Sequence, residues 1–177
     1  CVSRMKFSII TPAYKAERWV AETIESVLSQ EGDFDIEYIF VFDPSEDRTE
    51  AIAREYEQRV REGRYPIRAK SVTMQVIRPE ERGGMYMALN TGFARATGDV
   101  EAWIPADDKY EQGTFRVVSA VLNAYPEIEW LRGNTAIINE AVSGKGKNWE
   151  RKKLKYVARI NSESLSDNEK EELEIEY

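Results

Sequence analysis

The chain contains no histidine and a single cysteine, Cys1, in its 177 residues. The first absence removes Ser-His-Asp and Cys-His catalysis and every His-based zinc site. Any general base must then be a carboxylate, a lysine or a tyrosine. The second excludes an internal disulfide framework and fits a reducing compartment. No apolar stretch approaches the roughly 18 residues that a membrane-spanning helix needs. The opening run "MKFSII" stops at Thr11-Pro12, with Lys15 and Glu17 close behind, and is too short for a cleaved leader. Basic excess is missing as well. The 25 Lys and Arg face 32 Asp and Glu, a net charge of −7, so the footprint of a nucleic-acid binder is absent.

What remains is the balance of a globular domain, 42% hydrophobic and 32% charged, long enough to bury one core. The charge is unevenly placed. Residues 163–177 carry seven acids and one base, Lys170, so the rest of the chain is nearly neutral. Residues 145–159, "KGKNWERKKLKYVAR", carry seven bases and one acid, Glu150, with Trp149, Leu154, Tyr156 and Val157 interleaved. Such a run is either a solvated face or a surface for an anionic membrane. "SDNE" at 166–169 has the capping-box pattern, so the acidic end is read as a short helix or as disorder.

Apolar runs alternate with amphipathic stretches. Strands are expected at 5–10, 37–43, 71–77, 100–104 and 127–133, and helices at 16–30, 46–62, 85–97 and 111–124. Strict alternation indicates an α/β fold, a mainly parallel sheet with helices on both faces. In such sheets ligands bind beyond the carboxyl ends of the strands, at the point where the strand order reverses.

Three segments follow strands and carry chemistry. In "IPADDKY" (104–110), adjacent Asp107 and Asp108 repel each other unless they are solvated or bridged by a cation. Mg²⁺ takes one or two carboxylates and completes its shell with phosphate oxygens. A solvated turn with a helix cap explains the pair equally well. In "FDPSED" (42–47), Ser45 and Asp47 suit helix capping, whereas Asp43 ends the strand, where it can accept from a base N–H or a ribose hydroxyl. "TPAYK" (11–15) precedes a helix whose first N–H groups can meet phosphate, without the glycines of a P-loop. Gly83-Gly84 before a helix permits close backbone approach, and Arg82 beside them is either a phosphate ligand or a surface charge. Met85, Met87 and Leu89 on that helix read as core.

Together these segments resemble family 2 glycosyltransferases of the GT-A fold, a Rossmann-like α/β architecture. "FSIITPAYKAERWVAETIESVLSQ" is similar to the family's first strand and helix. "EYIFVFDPSEDRT" resembles its V-D-D-G-S-x-D-x-T segment, and "ERGGMYMALNTGFARATGDVEAWIPADD" its G-x-Y-D-A-x-N-x-G-x-x-x-A-x-G-D…DD segment. The departures are Phe42 for the first Asp of D-D-G-S, Pro44 for its Gly, Met87 for the Asp of G-x-Y-D-A, and Pro105 two residues before Asp107.

The resemblance implies a nucleotide-diphosphate sugar donor, UDP-linked by family frequency, and a glycan or lipid-linked acceptor. It implies Mn²⁺ or Mg²⁺ as cofactor and single displacement with inversion. Thr11, Ala13 and Tyr14 would meet the nucleoside with Glu17 in support, Asp43 the nucleobase, Asp107 the ribose and donor sugar, and Asp108 the metal. Arg82 and Gly84 would complete the donor site. Family strand order puts the first and fourth strands side by side, so "TPAY" and "PADD" would share one crevice.

The expected organisation is a donor-binding domain over 1–160 and an acidic tail over 161–177. The expected location is cytoplasmic, with 145–159 touching the inner face of the membrane. No catalytic base is identified. Glu140 and Glu150 are possibilities, and Glu163 and Asp167 are poor candidates. A sugar-nucleotide pyrophosphorylase would need a Gly-rich basic loop after the first strand, and "TPAYKAERW" has none. A glycoside hydrolase would use two opposed carboxylates and no nucleotide. The remaining rival is a domain that binds a nucleotide sugar without turnover.

Overall fold

The computed structural model describes residues 4–133, together with the backbone of strands at 155–160 and 172–176. The chain divides into two compact units, residues 1–119 and 120–177. In the first, the order is β1 (Lys6–Ala13), α1 (Val20–Leu28), β2 (Gly32–Phe42), α2 (Thr49–Arg61), β3 (Ala69–Ile77), α3 (Gly84–Phe93) and β4 (Val100–Trp103). Helix α4 (Thr114–Ala124) carries the chain on into β5 (Ile128–Arg132), β6 (Lys155–Ile160) and β7 (Glu172–Glu176).

The first unit holds a four-stranded parallel sheet in the order β3-β2-β1-β4. The chain steps outward from β1 to β3, then returns to place β4 on the other side of β1. The order therefore reverses between β1 and β4, and the carboxyl ends of those two strands open a crevice.

Strand periodicity assigns the two faces. Phe7, Ile9, Ile36, Tyr38, Phe40 and Phe42 point to one side with α1, α2 and Phe115. Ile10, Ile39 and Val41 point to the other, against Ala88 and Leu89 of α3. The expected helices on both faces are thus present. Phe7 anchors the larger layer, edge-on to Phe34 at 5.2 Å between centroids and stacked on Phe115 at 4.9 Å. On the α3 side, a Cβ on Gly92 would lie 2.4 Å from Ile10 Cγ2, so a glycine is what lets the helix seat on β1.

Several boundaries differ from the sequence expectation. β1 runs on through Pro12 to Ala13. Residues with Ile10's orientation face β4, whose last bond is Ile104 N–H to the Ile10 carbonyl at 2.9 Å, so Pro12's missing donor falls beyond β4's end. α1 starts at Val20, after a β1–α1 loop whose Ala16 N–H is held by Thr49 Oγ1 and Glu17 N–H by Asp47 Oδ2. α3 stops at Phe93, because Thr97 N–H turns to Glu37 and Ser8.

In the second unit, β5 does not extend the parallel sheet. It pairs antiparallel with β6, and β6 with β7, in the order β5-β6-β7. The segment expected to be a fifth strand of the alternation thus belongs to a separate sheet. Residues 172–176 of the acidic stretch are a strand in it, while the capping-box segment 166–169 lies outside the described residues.

Candidate functional site

The crevice between β1 and β4 is set by pairing. Ile10 stands opposite Trp103, which brings the ends of both strands to one edge. After β4 the chain turns at Pro105, where Asp108 N–H donates to the Pro105 carbonyl at 3.2 Å. Thr23 of α1 holds this turn, its hydroxyl lying 2.9 Å from the Ala106 carbonyl and 2.7 Å from that of Asp108. Ser26 Oγ accepts from Tyr110 N–H at 3.1 Å, and Gln30 bridges the Glu111 carbonyl and the Phe115 N–H. Thr23 and Ser26 lie on one face of α1 at helical spacing, and Gln30 follows just beyond the helix's end. Sequence reading puts Thr23 in the apolar stripe and passes over the other two. Polar residues at helical spacing in and just after an amphipathic helix are the signal that would find them.

Asp107 and Asp108 are exposed, and no hydrogen bond or ion pair with the described residues engages either carboxylate. Partial burial and the neighbouring Asp107 charge both push the Asp108 pKa up. Two adjacent like charges without a counter-ion are a standing cost that a cation would relieve. A hard divalent cation takes one or two carboxylates and fills its remaining positions with phosphate oxygens and water. The pair fits that donor set, and among the described residues no group of three or more acids forms a closed cage.

Beside the pair lies a pocket of about 290 Å³, lined by Pro12, Ala13, Tyr14, Asp43, Arg82, Gly84, Met85, Ala88 and Pro105. Asp43 is buried at the end of β2, and its N–H continues the ladder to the Ala13 carbonyl at 2.8 Å. Its carboxylate accepts from Gly83 N–H at 3.0 Å and Gly84 N–H at 3.2 Å, the first free donors of α3. Gly84 sits at φ 74°, a left-handed conformation that suits glycine and turns both amides toward Asp43. Arg82 completes the wall, its Nε 3.4 Å from Asp43 and its guanidinium 4.0 Å from the centre of the Tyr14 ring.

Of the expected site residues, Ala13, Tyr14, Asp43, Arg82 and Gly84 thus converge on one pocket. Asp107 and Asp108 follow β4 at the same edge of the sheet. Thr11 does not reach the pocket, because its side chain is fully buried and accepts from the Tyr38 hydroxyl at 3.0 Å. Glu17 acts at one remove, accepting from Arg48 N–H at 2.9 Å and so capping α2 from the β1–α1 loop. The expected caps are partly as read. Ser45 donates to Asp47, whose carboxylate also accepts from Thr49 Oγ1 and Glu17 N–H. Burial pushes the Asp47 pKa up, but these bonds outweigh it and hold it low. Met85 and Met87 are not core residues. They are 46% and 58% exposed, with Tyr86 between them at 77%, while Leu89 is buried as expected. Glu140 and Glu150 lie outside the described residues.

Comparison with known proteins decides the family. The model of glycosyl transferase family 2 matches residues 8–168. The chain belongs to glycosyl transferase family 2. It is 34% identical over 122 residues to the minor teichoic acid biosynthesis protein GgaB of Bacillus subtilis, covering 68% of this chain and 12% of that protein. An uncharacterized glycosyltransferase of Nostoc sp. is 30% identical over 143 residues, 77% of this chain and 41% of that one. This family 2 chain therefore spans less than half of either relative.

Solved structures agree on the fold. Staphylococcus aureus TarS superimposes with a TM-score of 0.58 at 23% identity, over 69% of this chain and 33% of that one. A Pyrobaculum calidifontis mannosyltransferase, solved with GDP-mannose and Mn²⁺, gives 0.58 at 22% identity, over 72% and 34%. The mixed α/β, GT-A expectation holds for the first unit. The family's D-D-G-S segment is altered where it is structural, since Phe42 is buried in the larger core layer.

Proposed function

We propose that this family 2 chain transfers a sugar from a nucleotide-diphosphate donor, UDP-linked, to an acceptor hydroxyl with inversion, in the synthesis of a cell-surface glycan or polysaccharide. The observation that carries the reading is the juxtaposition, at one switch point, of a nucleoside-sized pocket and an aspartate pair that has no partner among the described residues. A TarS structure contains UDP and the mannosyltransferase structure contains GDP-mannose, which supports a nucleotide sugar as ligand. The teichoic acid role of GgaB supports a glycan polymer as product.

In this reading Ala13 and Tyr14 flank the nucleoside, with Thr11 behind them, and Asp43 meets the nucleobase. Gly84 brings backbone close to the donor. Asp107 orients the ribose and donor sugar, and Arg82 pairs with a phosphate. Asp108 holds the cation, Mn²⁺ or Mg²⁺, which when bound supplies positive charge to the leaving diphosphate. The acceptor oxygen forms its bond to the anomeric carbon from the face opposite the diphosphate. The anomeric C–O bond breaks with its electron pair leaving on the diphosphate, and the hydroxyl proton passes to a carboxylate. The acceptor is a glycan or lipid-linked hydroxyl.

The basic run 145–159 is our proposed contact with an anionic membrane on the cytoplasmic side, where a lipid-linked acceptor would lie. Its residues 155–159 belong to β6, and 145–154 lie outside the described residues. Co-sedimentation with anionic vesicles tests it.

Donor binding without turnover is the second reading. It is favoured because, among the described residues, Asp43 is the one carboxylate lining the pocket. Isothermal titration with UDP, with and without Mn²⁺, tests the donor site. Donor consumption with and without added acceptors then separates the two readings.

A further inference from the structure

We propose that Arg82 makes this site select nucleoside diphosphates over nucleosides by occupying the nucleoside's place until a diphosphate draws it away. The inference rests on the reading of the pocket as a donor site. In the ligand-free molecule, the Arg82 guanidinium lies 4.0 Å from the centre of the Tyr14 ring, within cation–π range. The same head group stands 3.4 Å from Asp43 Oδ2. An aromatic ring face and a buried carboxylate are the two groups a nucleobase would use in this pocket, one for stacking and one for its N–H. Arg82 engages both at once, because a guanidinium resembles a base edge: planar, with donors in its plane.

The surroundings make Arg82 the movable member. Asp43 is 4% exposed and fixed by the Gly83 and Gly84 amides, so its carboxylate stays when the arginine leaves. The Arg82 side chain is 60% exposed, with room to swing into solvent. Lys15 also lies over the Tyr14 ring, but loosely, at 5.5 Å. A nucleoside entering alone must displace the guanidinium and leave it to water. A nucleoside diphosphate displaces it too, but offers it phosphate oxygens in a geometry an arginine fork matches. UDP thus restores to the guanidinium the ion pairing that it gives up at Asp43, and uridine does not.

The test is titration of uridine and of UDP, both with Mn²⁺, against wild type, Arg82→Met and Arg82→Lys, with thermal melts to verify folding. Arg82→Met keeps the stem and removes the plug. It should bind uridine about threefold to tenfold more tightly, and UDP about tenfold more weakly. Arg82→Lys keeps the charge without the planar head, and should also tighten uridine while retaining most of the UDP affinity. Uridine binding that is unchanged or weaker in Arg82→Met overturns the plug while leaving the donor site standing. Failure of wild type and both variants to bind UDP overturns the donor-site reading and the plug with it.

Discussion

At the amino end of the four-stranded sheet, Glu37 accepts four hydrogen bonds, from Lys6 Nζ, Ser8 Oγ, Thr97 N–H and Thr97 Oγ1. At the carboxyl end, Asp107 and Asp108 accept none from the described residues. Both ends bring carboxylates to the edge of an apolar sheet, and their pKa directions diverge. Burial pushes Glu37 up, but the bonds from Ser8, Thr97 and Lys6 overcome it and bring it down to about 2. Burial and Asp107 push Asp108 the other way, with nothing in the described chain to offset them. The amino end is a finished structural joint. There Asp99 accepts from Lys6 N–H and Ser8 Oγ from Gly98 N–H, tying the turn before β4 to β1. The carboxyl end keeps an electrostatic imbalance, which the proposed cation and donor would relieve.

The contrast predicts that damage at the two ends has different consequences. The largest effect should come from Gly98→Val. A Cβ there would stand 2.6 Å from the Lys6 carbonyl and 2.8 Å from Ser8 N, both backbone. The joint must open, at a cost of about 3 kcal/mol or more in denaturant unfolding. Glu37→Ala should come next, losing about 2 kcal/mol, chiefly because the buried Ser8 hydroxyl loses its charged acceptor while Lys6 and Thr97 turn to water. The nucleotide affinity of the folded fraction should stay within about twofold.

The pH dependence sharpens the same point. The folded pKa of Glu37 is below its ordinary 4.5, so its contribution is fully present above that value and is lost as pH falls toward about 2. Wild type should lose stability over that window, whereas Glu37→Gln should start less stable and change less across it. The smallest effect on stability is expected for Thr23→Val, about 1–2 kcal/mol for the loss of one hydroxyl proton shared between the buried Ala106 carbonyl and the part-buried Asp108 carbonyl. Because that hydroxyl positions the Asp107–Asp108 turn, nucleotide affinity should nevertheless fall about tenfold. An affinity unchanged by Thr23→Val would show that the turn holds its shape unaided.

The sheet is legible in the sequence where periodicity is local. The four parallel strands and their intervening helices follow from apolar runs and stripes. Their order places "TPAY" beside "PADD", as the resemblance implied. Sequence is less informative where the deciding contact is distant in the chain. β2 begins at Gly32 because Phe34 and Ile36 face inward while Asp33 and Asp35 face out, an alternation that a search for buried runs passes over. β5 pairs with residues about 30 positions downstream, and nothing near it announces an antiparallel partner. Thr11 sits inside the matching motif, yet its hydroxyl is sealed by Tyr38, a contact across two strands. Met85 and Met87 read as core by type, but α3 turns its Ala88 and Leu89 to the sheet and leaves both methionines exposed, Met85 on the pocket wall.

The central claim is that the carboxyl end is an incomplete site, finished by a cation and a nucleoside diphosphate. Titration of UDP against wild type and Asp108→Ala, with and without Mn²⁺, tests it most directly. The account predicts Mn²⁺-dependent binding by wild type, a loss of about 100-fold in Asp108→Ala, and a melting temperature for that variant no lower than wild type. Metal-independent binding that survives in Asp108→Ala, or a variant that unfolds, would contradict it and make the aspartate pair part of the scaffold.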